Sequence, residues 1–421
     1  QSKILPNGPA NIYGYTRPSL EKKIIYDEYI DAVYVALKRI QKSRPGFTFG
    51  TLPRPATYKQ TREMIEPIVR KVARKTLKPI LNIIKNNMIS QKNKRIIVTG
   101  GLGFIGSNFI ALALSRGYHV INVDKKTYAA RTDLTFDTNP NYEFIHDDIS
   151  KIKGLPANIE FIVNFAAESH VDNSLASNKA FFDSNIGGVY NILELLRKGD
   201  SSTRPTLIHI STDEVYGDRL EGASVETDML KPSNPYSATK AAADQLVFGW
   251  GRTHNIPYRI CRSSNNYGYG QYAEKLIPRT IKSAYKGLKM EVHGDGSYQR
   301  EWTHVEDNCA GILLVMEKGS NSEIYNISSG EVMCNLDVVK TILKEMGKPD
   351  NFFTFVKNRQ GQDLRYAVNP AKIKKLGWAP KHTLASSLPR YLELCEIGRS
   401  QPRQRKLLSR LLNKVNNFYA K

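Results

Sequence analysis

Arg95-Ile96-Ile97-Val98-Thr99-Gly100-Gly101-Leu102-Gly103-Phe104-Ile105-Gly106 is the stretch that decides the fold. A short apolar strand runs into a turn whose glycines at 100, 103 and 106 have GxxGxxG spacing, and an apolar helix around Phe109 to Leu114 follows at once. Glycines in such a turn let backbone N–H groups approach a pyrophosphate at a helix N-terminus, where the helix dipole favours negative charge. A glycine triplet alone says little; its place between strand and helix gives it meaning. Outward from it, strand-like runs fall at His119 to Val123, Phe161 to Phe165, Leu207 to Ser211 and Tyr258 to Arg262, with helical stretches between most of them. That alternation predicts an α/β fold, a Rossmann-type doubly wound parallel sheet, without internal repeats.

Asp124 ends the second strand, eighteen residues after Gly106. A carboxylate there accepts hydrogen bonds from an adenosine ribose and repels a 2′-phosphate, which favours NAD over NADP. Lys125 and Lys126 follow and temper that preference. Asp147-Asp148-Ile149 closes a third strand where an adenine edge would lie, although an acidic pair is often only a solvated turn.

The chemistry is written in two further runs, Ser211-Thr212-Asp213-Glu214-Val215-Tyr216-Gly217 and Tyr236-Ser237-Ala238-Thr239-Lys240. Tyr236 and Lys240, four apart, share a helix face. An ammonium so placed is expected to lower the phenol's pKa and make it a base. Asp213 and Glu214 add an acid and a second base, the pair that removing water from a sugar requires.

These runs resemble the extended short-chain dehydrogenase/reductase superfamily, and within it nucleotide-sugar 4,6-dehydratases of the dTDP-glucose 4,6-dehydratase type. The likeness spans residues 95 to about 393 and includes residues 123–130, 165–174, 211–217, 234–245, 263–278, 292–308 and 359–378, in the family's order. It implies a smaller C-terminal substrate-binding region, so that 95–262 would mainly bind NAD and 263–398 mainly substrate. The implied cofactor residues are Gly100, Gly103, Phe104, Ile105, Gly106, Asp124, Lys125, Thr127, Asp148, Ile149, Ala166, Ala167, Ser169, Tyr236 and Lys240. Thr212, Asp213, Glu214, Tyr236 and Lys240 would be catalytic. Tyr236 would take the proton of the 4-hydroxyl and Glu214 that of C5, while Asp213 protonates the departing 6-hydroxyl. Epimerases of similar fold usually lack the acidic pair. His170, Asn265, Glu274, Lys275, Arg300, Asn335 and Arg359 would surround a nucleotide-diphosphate sugar, arginine suiting phosphate through paired hydrogen bonds. The same resemblance implies a homodimer built through paired helices.

The chain departs from the family pattern at the substrate end. Tyr269-Gly270-Gln271-Tyr272-Ala273 lacks two prolines that would stiffen the loop, Glu301 replaces the usual Asp, and Gln362 stands where a substrate-facing histidine is usual.

Composition sets the frame. The 421 residues are 41% hydrophobic and 10% aromatic, globular values, and contain no run of eighteen apolar residues to span a bilayer. A soluble or peripheral protein is expected. Cys261, Cys309, Cys334 and Cys395 show no Cys/His ligand spacing, which argues for a reducing compartment and against structural zinc. The net charge of +21 is concentrated at the ends. Residues 1–94 hold 19 Lys/Arg against 6 Asp/Glu, and residues 399–421 hold 7 Lys/Arg and no acid, so the body at 95–398 is close to neutral.

The sequence predicts amphipathic basic helices at 19–43 and about 61–85, and a basic amphipathic tail. Such arms fit a membrane surface, an acidic protein surface or RNA. A basic, acid-poor N-terminus also points to the mitochondrial matrix, the alternative being the cytoplasm. Two functions are expected: an active NAD-dependent hydro-lyase, or the same fold recruited as a structural subunit of a ribonucleoprotein or respiratory complex.

Overall fold

The computed structural model describes residues 94–169, 178–358 and 362–399. His170, Arg359 and the helices expected in the two basic arms lie outside these. The strands are β1 (Arg95–Thr99), β2 (His119–Val123), β3 (Tyr142–Ile145), β4 (Ile159–Asn164), β5 (Thr206–Thr212), β6 (Tyr258–Ser263), β7 (Asn265–Tyr267), β8 (Met290–His293), β9 (Gln299–His304), β10 (Glu323–Ile327), β11 (Val332–Cys334) and β12 (Phe353–Val356). Seven form one sheet in the order β10-β6-β5-β4-β1-β2-β3, every pairing parallel. The predicted doubly wound sheet is present, and its expected strands lie within two residues of their observed bounds.

A parallel sheet must be covered on both faces, which is why β1 reads as an unbroken apolar run. Ile96 and Val98 pack on one side with Phe109 and Ile110 of the helix Phe104–Ser115 and Ile312 of the helix Val305–Lys318. Ile97 points the other way, to Val189 and Ile192 of the helix Gly188–Lys198 and Val247 of the helix Pro235–His254. The latter helix starts on a capping box, Asn234 Oδ1 accepting the Ser237 N–H at 2.9 Å and Ser237 Oγ accepting the Asn234 N–H at 3.2 Å. Pro235, in its first turn, cannot extend it backwards. The cap fixes where Tyr236 and Lys240 begin.

The C-terminal region builds a three-stranded sheet, β11-β9-β7, and a two-stranded one, β12-β8. The helices Leu276–Tyr285, Asn335–Glu345 and Leu384–Arg399 close a separate core through Ile277, Ile281, Val338, Ile342, Leu384 and Leu388. The chain returns to the main sheet through β10, which pairs with β6.

β6, β10, the turn Asp213–Tyr216 and the helix Pro235–His254 are bound by a buried polar knot. Arg262 Nε donates to Asp244 Oδ2 at 2.9 Å and Arg262 Nη1 to the Tyr216 hydroxyl at 2.8 Å, while that hydroxyl donates to Asn326 Oδ1 at 2.9 Å. Arg262 is 1% exposed and Asp244 0%. Removing one partner strands a buried charge, so Asp244→Ala is expected to destabilise the body by about 3–5 kcal/mol. Chemical-denaturation midpoints check this; a loss below about 1 kcal/mol would show that the knot is not paired as described.

Candidate active site

The sheet order reverses between β1 and β4, and a cleft opens at the C-terminal ends of the strands, the position such sheets favour for ligands. It is lined by all fifteen expected cofactor residues, by Thr212, Asp213 and Glu214, and by Asn265, Glu274 and Lys275.

The turn after β1 suits a phosphate-bearing ligand. Gly100 has φ +67°, and a Cβ there would lie 2.6 Å from the Ala166 backbone nitrogen; one on Gly106 would lie 2.4 Å from the Gly100 oxygen. Gly103 is the N-cap of the helix Phe104–Ser115 without a side-chain cap, so first-turn N–H groups are left for something else. Asp124 ties the turn together, accepting the Leu102 N–H at 2.9 Å through Oδ2 and the Lys126 N–H at 2.8 Å through Oδ1.

The two lysines after Asp124 diverge. Lys126 Nζ lies 4.6 Å over the Phe144 ring. Lys125 Nζ donates to Ser184 Oγ at 2.7 Å and lies 3.6 Å from Asp148 and 3.9 Å from Glu168. Asp148 and Ile149 line the cleft, but from the loop beyond β3, which already ends at Ile145. Asp148 is held there as an Asx turn, Oδ1 accepting the Ser150 N–H at 3.0 Å.

β5 delivers the acids. It runs into the 3-10 turn Asp213–Tyr216, and Thr212 Oγ1 caps that turn by accepting the Glu214 N–H at 3.3 Å while donating to Asp213 Oδ1 at 3.2 Å. Asp213 is buried, and its Oδ2 has no hydrogen-bond partner among the described residues. Burial, reinforced by the Glu214 and Glu301 charges, pushes the Asp213 carboxyl well above the usual range. Burial also raises Glu214, where Arg300, Lys275 and Asn234 pull the other way.

The Tyr236 and Lys240 pair corrects one expectation. Lys240 does not hold the Tyr236 phenol down. Burial pushes the phenol up, with the Glu214 and Asp213 charges adding to it and a hydrogen bond to Thr212 opposing it. Lys240 Nζ is committed to the Ile210 carbonyl at 2.6 Å, and burial lowers its own pKa to about 8, Asp244 opposing.

Among the expected substrate residues, Asn265, Glu274 and Lys275 reach the cleft, and Lys275 Nζ donates to the Ser169 carbonyl at 3.1 Å. Asn265 lines the cleft, and its Oδ1 is buried with no partner among the described residues. Arg300 and Asn335 do not line it. Arg300 is buried, donating to the Gln299 and Asp363 carbonyls at 2.7 and 2.9 Å and lying 4.3 Å over the Tyr366 ring. It serves as a counter-charge behind the acids rather than as an open phosphate ligand. Asn335 instead begins the helix Asn335–Glu345, its N–H donating to the Tyr298 carbonyl at 3.0 Å.

Sequence reading missed several cleft residues. Glu168 lies within the run 165–174 and was open to detection; its carboxyl is raised by burial. Ser184 comes from a π-helical stretch, Phe182–Gly187, for which no motif gives warning. Tyr128 and Tyr272 meet edge-on across the cleft, centroids 5.4 Å apart. In the loop that lacks its prolines, Gln271 Nε2 donates to the Asn266 carbonyl at 2.7 Å, a hydrogen-bonded brace in their place.

This geometry has close relatives. The family model described as GDP-mannose 4,6 dehydratase matches residues 97–390. A low-salt glycan biosynthesis protein of Haloferax volcanii is 42% identical over 299 residues, covering 70% of this chain and 96% of that protein. The dTDP-glucose 4,6-dehydratase of Mycolicibacterium smegmatis is 41% identical over 298 residues, 69% of this chain and 89% of its own. Among solved structures, the dTDP-glucose 4,6-dehydratase of Streptomyces venezuelae with NAD and TYD bound has TM-score 0.68 at 35% identity, covering 72% of this chain and 98% of that one. UDP-glucuronic acid 4-epimerase of Bacillus cereus, with UDP-glucuronic acid and NAD, has TM-score 0.66 at 27% identity, covering 72% and 99%. The chain belongs to the GDP-mannose 4,6-dehydratase family, among the nucleotide-sugar dehydratases and epimerases of the extended short-chain dehydrogenase/reductase superfamily.

Because Lys240 is positive below about pH 8 and neutral above, dinucleotide affinity is expected to break near that pH. Fluorescence titration across pH 6–10 on the native chain and on Lys240→Met checks it: the break should vanish in the variant, and its persistence there would assign it to another group.

Proposed function

We propose that this chain is an NAD-dependent nucleotide-sugar 4,6-dehydratase, converting dTDP-glucose or a similar nucleotide-diphosphate hexose to the 4-keto-6-deoxy sugar. The observation that carries the reading is the acid pair. Asp213 and Glu214 stand side by side on one turn lining the cleft with Tyr236, and burial raises both while Lys275 and Asn234 oppose the rise at Glu214. Two carboxyls whose pKa values are driven apart are what an acid and a base in one site require.

When bound, NAD supplies a hydride acceptor for C4 and returns the hydride to C6, so that it ends oxidised. The residues present fit it, since the glycine turn, Asp124 and the uncapped helix start suit a dinucleotide. Tyr236 takes the proton of the 4-hydroxyl, with Thr212 beside it to hold the reacting oxygen. The 4-keto group acidifies C5–H, and Glu214, ionised, removes that proton. Asp213 donates its proton to the 6-hydroxyl as the C6–O bond breaks and water leaves, and Glu214 returns its proton to C5 as C6 is reduced, which completes the 4-keto-6-deoxy sugar. Protonated Asp213 also removes one of the two carboxylate charges that oppose a phenolate at Tyr236, so the acid and base roles support each other.

The structural-subunit alternative draws no support from the relatives above, whose names describe enzymes or a biosynthetic protein. We propose, separately, a mitochondrial matrix location and attachment of residues 1–94 and 399–421 to RNA or an acidic protein surface. Gel filtration at low and high salt tests the attachment: a large species that falls apart as salt rises is expected, and unchanged migration would remove the idea.

Incubation with dTDP-glucose, UDP-glucose and UDP-N-acetylglucosamine, followed by mass spectrometry, tests the chemistry. Loss of one water from one of them is expected. Tyr236→Phe should lower kcat by roughly 10²–10⁴-fold, and Glu214→Gln should stall with reduced nicotinamide absorbance after C4 oxidation. A product of unchanged mass would shift the activity to epimerisation, and no product from protein with NAD bound would end the dehydratase reading for these sugars.

A further inference from the structure

His304, Glu306 and His382 bring one donor atom each to within 4.8 Å of one another, at a place the cleft does not use. His304 ends β9 and begins the helix Val305–Lys318, its Nδ1 accepting the Glu306 N–H at 3.4 Å. Its ring is confined: Tyr267 packs edge-on at 5.2 Å, and the Cβ that Gly268 lacks would stand 3.2 Å from His304 Nε2. His382 arrives from the loop before the helix Leu384–Arg399, and Asp307 fastens that loop. Asp307 Oδ2 accepts the N–H groups of Lys381 and His382, both at 2.9 Å, and Oδ1 lies 3.1 Å from His382 Nδ1. The other nitrogen, Nε2, lies 3.7 Å from Glu306 Oε2, and the two imidazole rings stand 4.4 Å apart, tilted by 35°.

We propose that His304, Glu306 and His382 form a binding site for a divalent transition-metal ion of the zinc class, with Asp307 as the carboxylate that orients His382. Two imidazoles and a carboxylate, with a fourth position for water, are a zinc-type donor set. A carboxylate behind a ligating histidine fixes its tautomer and aims its free nitrogen. Tetrahedral ligands at zinc's bond lengths stand roughly 3.3–3.5 Å apart. The His382 and Glu306 donors are almost there, and the Glu306 side chain, 60% exposed, can swing the remainder. An ordinary ion pair explains Asp307 with His382; it leaves unexplained why Glu306 also meets the other nitrogen of that ring while the His304 ring packs against it.

The position gives the ion a use. The site joins the loop entering the last helix to Gly268, at the root of the segment that carries Gln271, Glu274 and Lys275 into the cleft. Bound metal would clasp that root. No ligand spacing in the sequence announces the site, because its members come together only when β9 and the C-terminal loop meet.

Metal-stripped full-length protein titrated with Zn²⁺ by calorimetry, and with Co²⁺ by visible absorption, tests the site. Native protein should bind one Zn²⁺ more than His304→Gln/His382→Gln and show the strong Co²⁺ bands of low coordination number, which the double variant should lack. Glu306→Gln, an exposed change that leaves the core alone, should weaken Zn²⁺ binding by at least about tenfold. Equal zinc binding by native protein and double variant, with circular dichroism showing both folded, would overturn the site. So would absence of binding by native protein at micromolar Zn²⁺.

Discussion

The whole active region hangs on one close approach, that of the Gly100 turn to the backbone at Phe165 and Ala166. A side chain at Gly100 would collide with Ala166, and one at Gly106 with Gly100 itself. Only because both are bare can the segments leaving the paired strands β1 and β4 pass so close together, with a helix N-terminus beside the cleft. From there the ends of β4, β5 and β6 face one crevice, each delivering residues whose sequence separation hides their proximity. Asp124 joins this turn to the loop after β2, accepting the Leu102 N–H with one oxygen and the Lys126 N–H with the other.

Behind the crevice lies an unusual concentration of buried carboxyls. Asp213 and Glu301 are each 3% exposed, with Glu214 half-buried between cleft and core. Burying like charges together favours the neutral form of at least one of them. Glu301 is tied down by the Val368 N–H at 2.8 Å, and Arg300 beside it spends its donors on backbone carbonyls. The arginine therefore moderates the acids electrostatically without neutralising either through a direct bond. Burial raises both carboxyls; Arg300 opposes the rise in each, while Lys275 and Asn234 oppose it at Glu214.

The family is shared with epimerases of very similar fold, so architecture alone does not choose between losing water and inverting a carbon. In the function proposed above, the choice rests on the acidic side chains just after β5. At the opposite edge of the cleft the chain has replaced conformational stiffness by hydrogen bonding, Gln271 bracing Asn266 where prolines would have limited φ.

Much of this was legible in the residues. The alternation of apolar runs determined the parallel sheet, because a strand buried on both faces must be apolar throughout. The glycine spacing and the grouping of Thr212, Asp213, Glu214, Tyr236 and Lys240 at one cleft were legible too, since local spacing fixes which side chains share a turn or a helix face. Other properties only the tertiary structure decided. Arg300 reads in sequence as a phosphate ligand, yet packing turns it onto carbonyls and Tyr366. Lys240 reads as the partner that acidifies Tyr236, yet burial and the Ile210 carbonyl claim it. Ser184, and the meeting of His304 with His382, depend on contacts between distant segments. Burial and long-range contact set both the charge state and the direction of a side chain, and neither is a property of the local sequence.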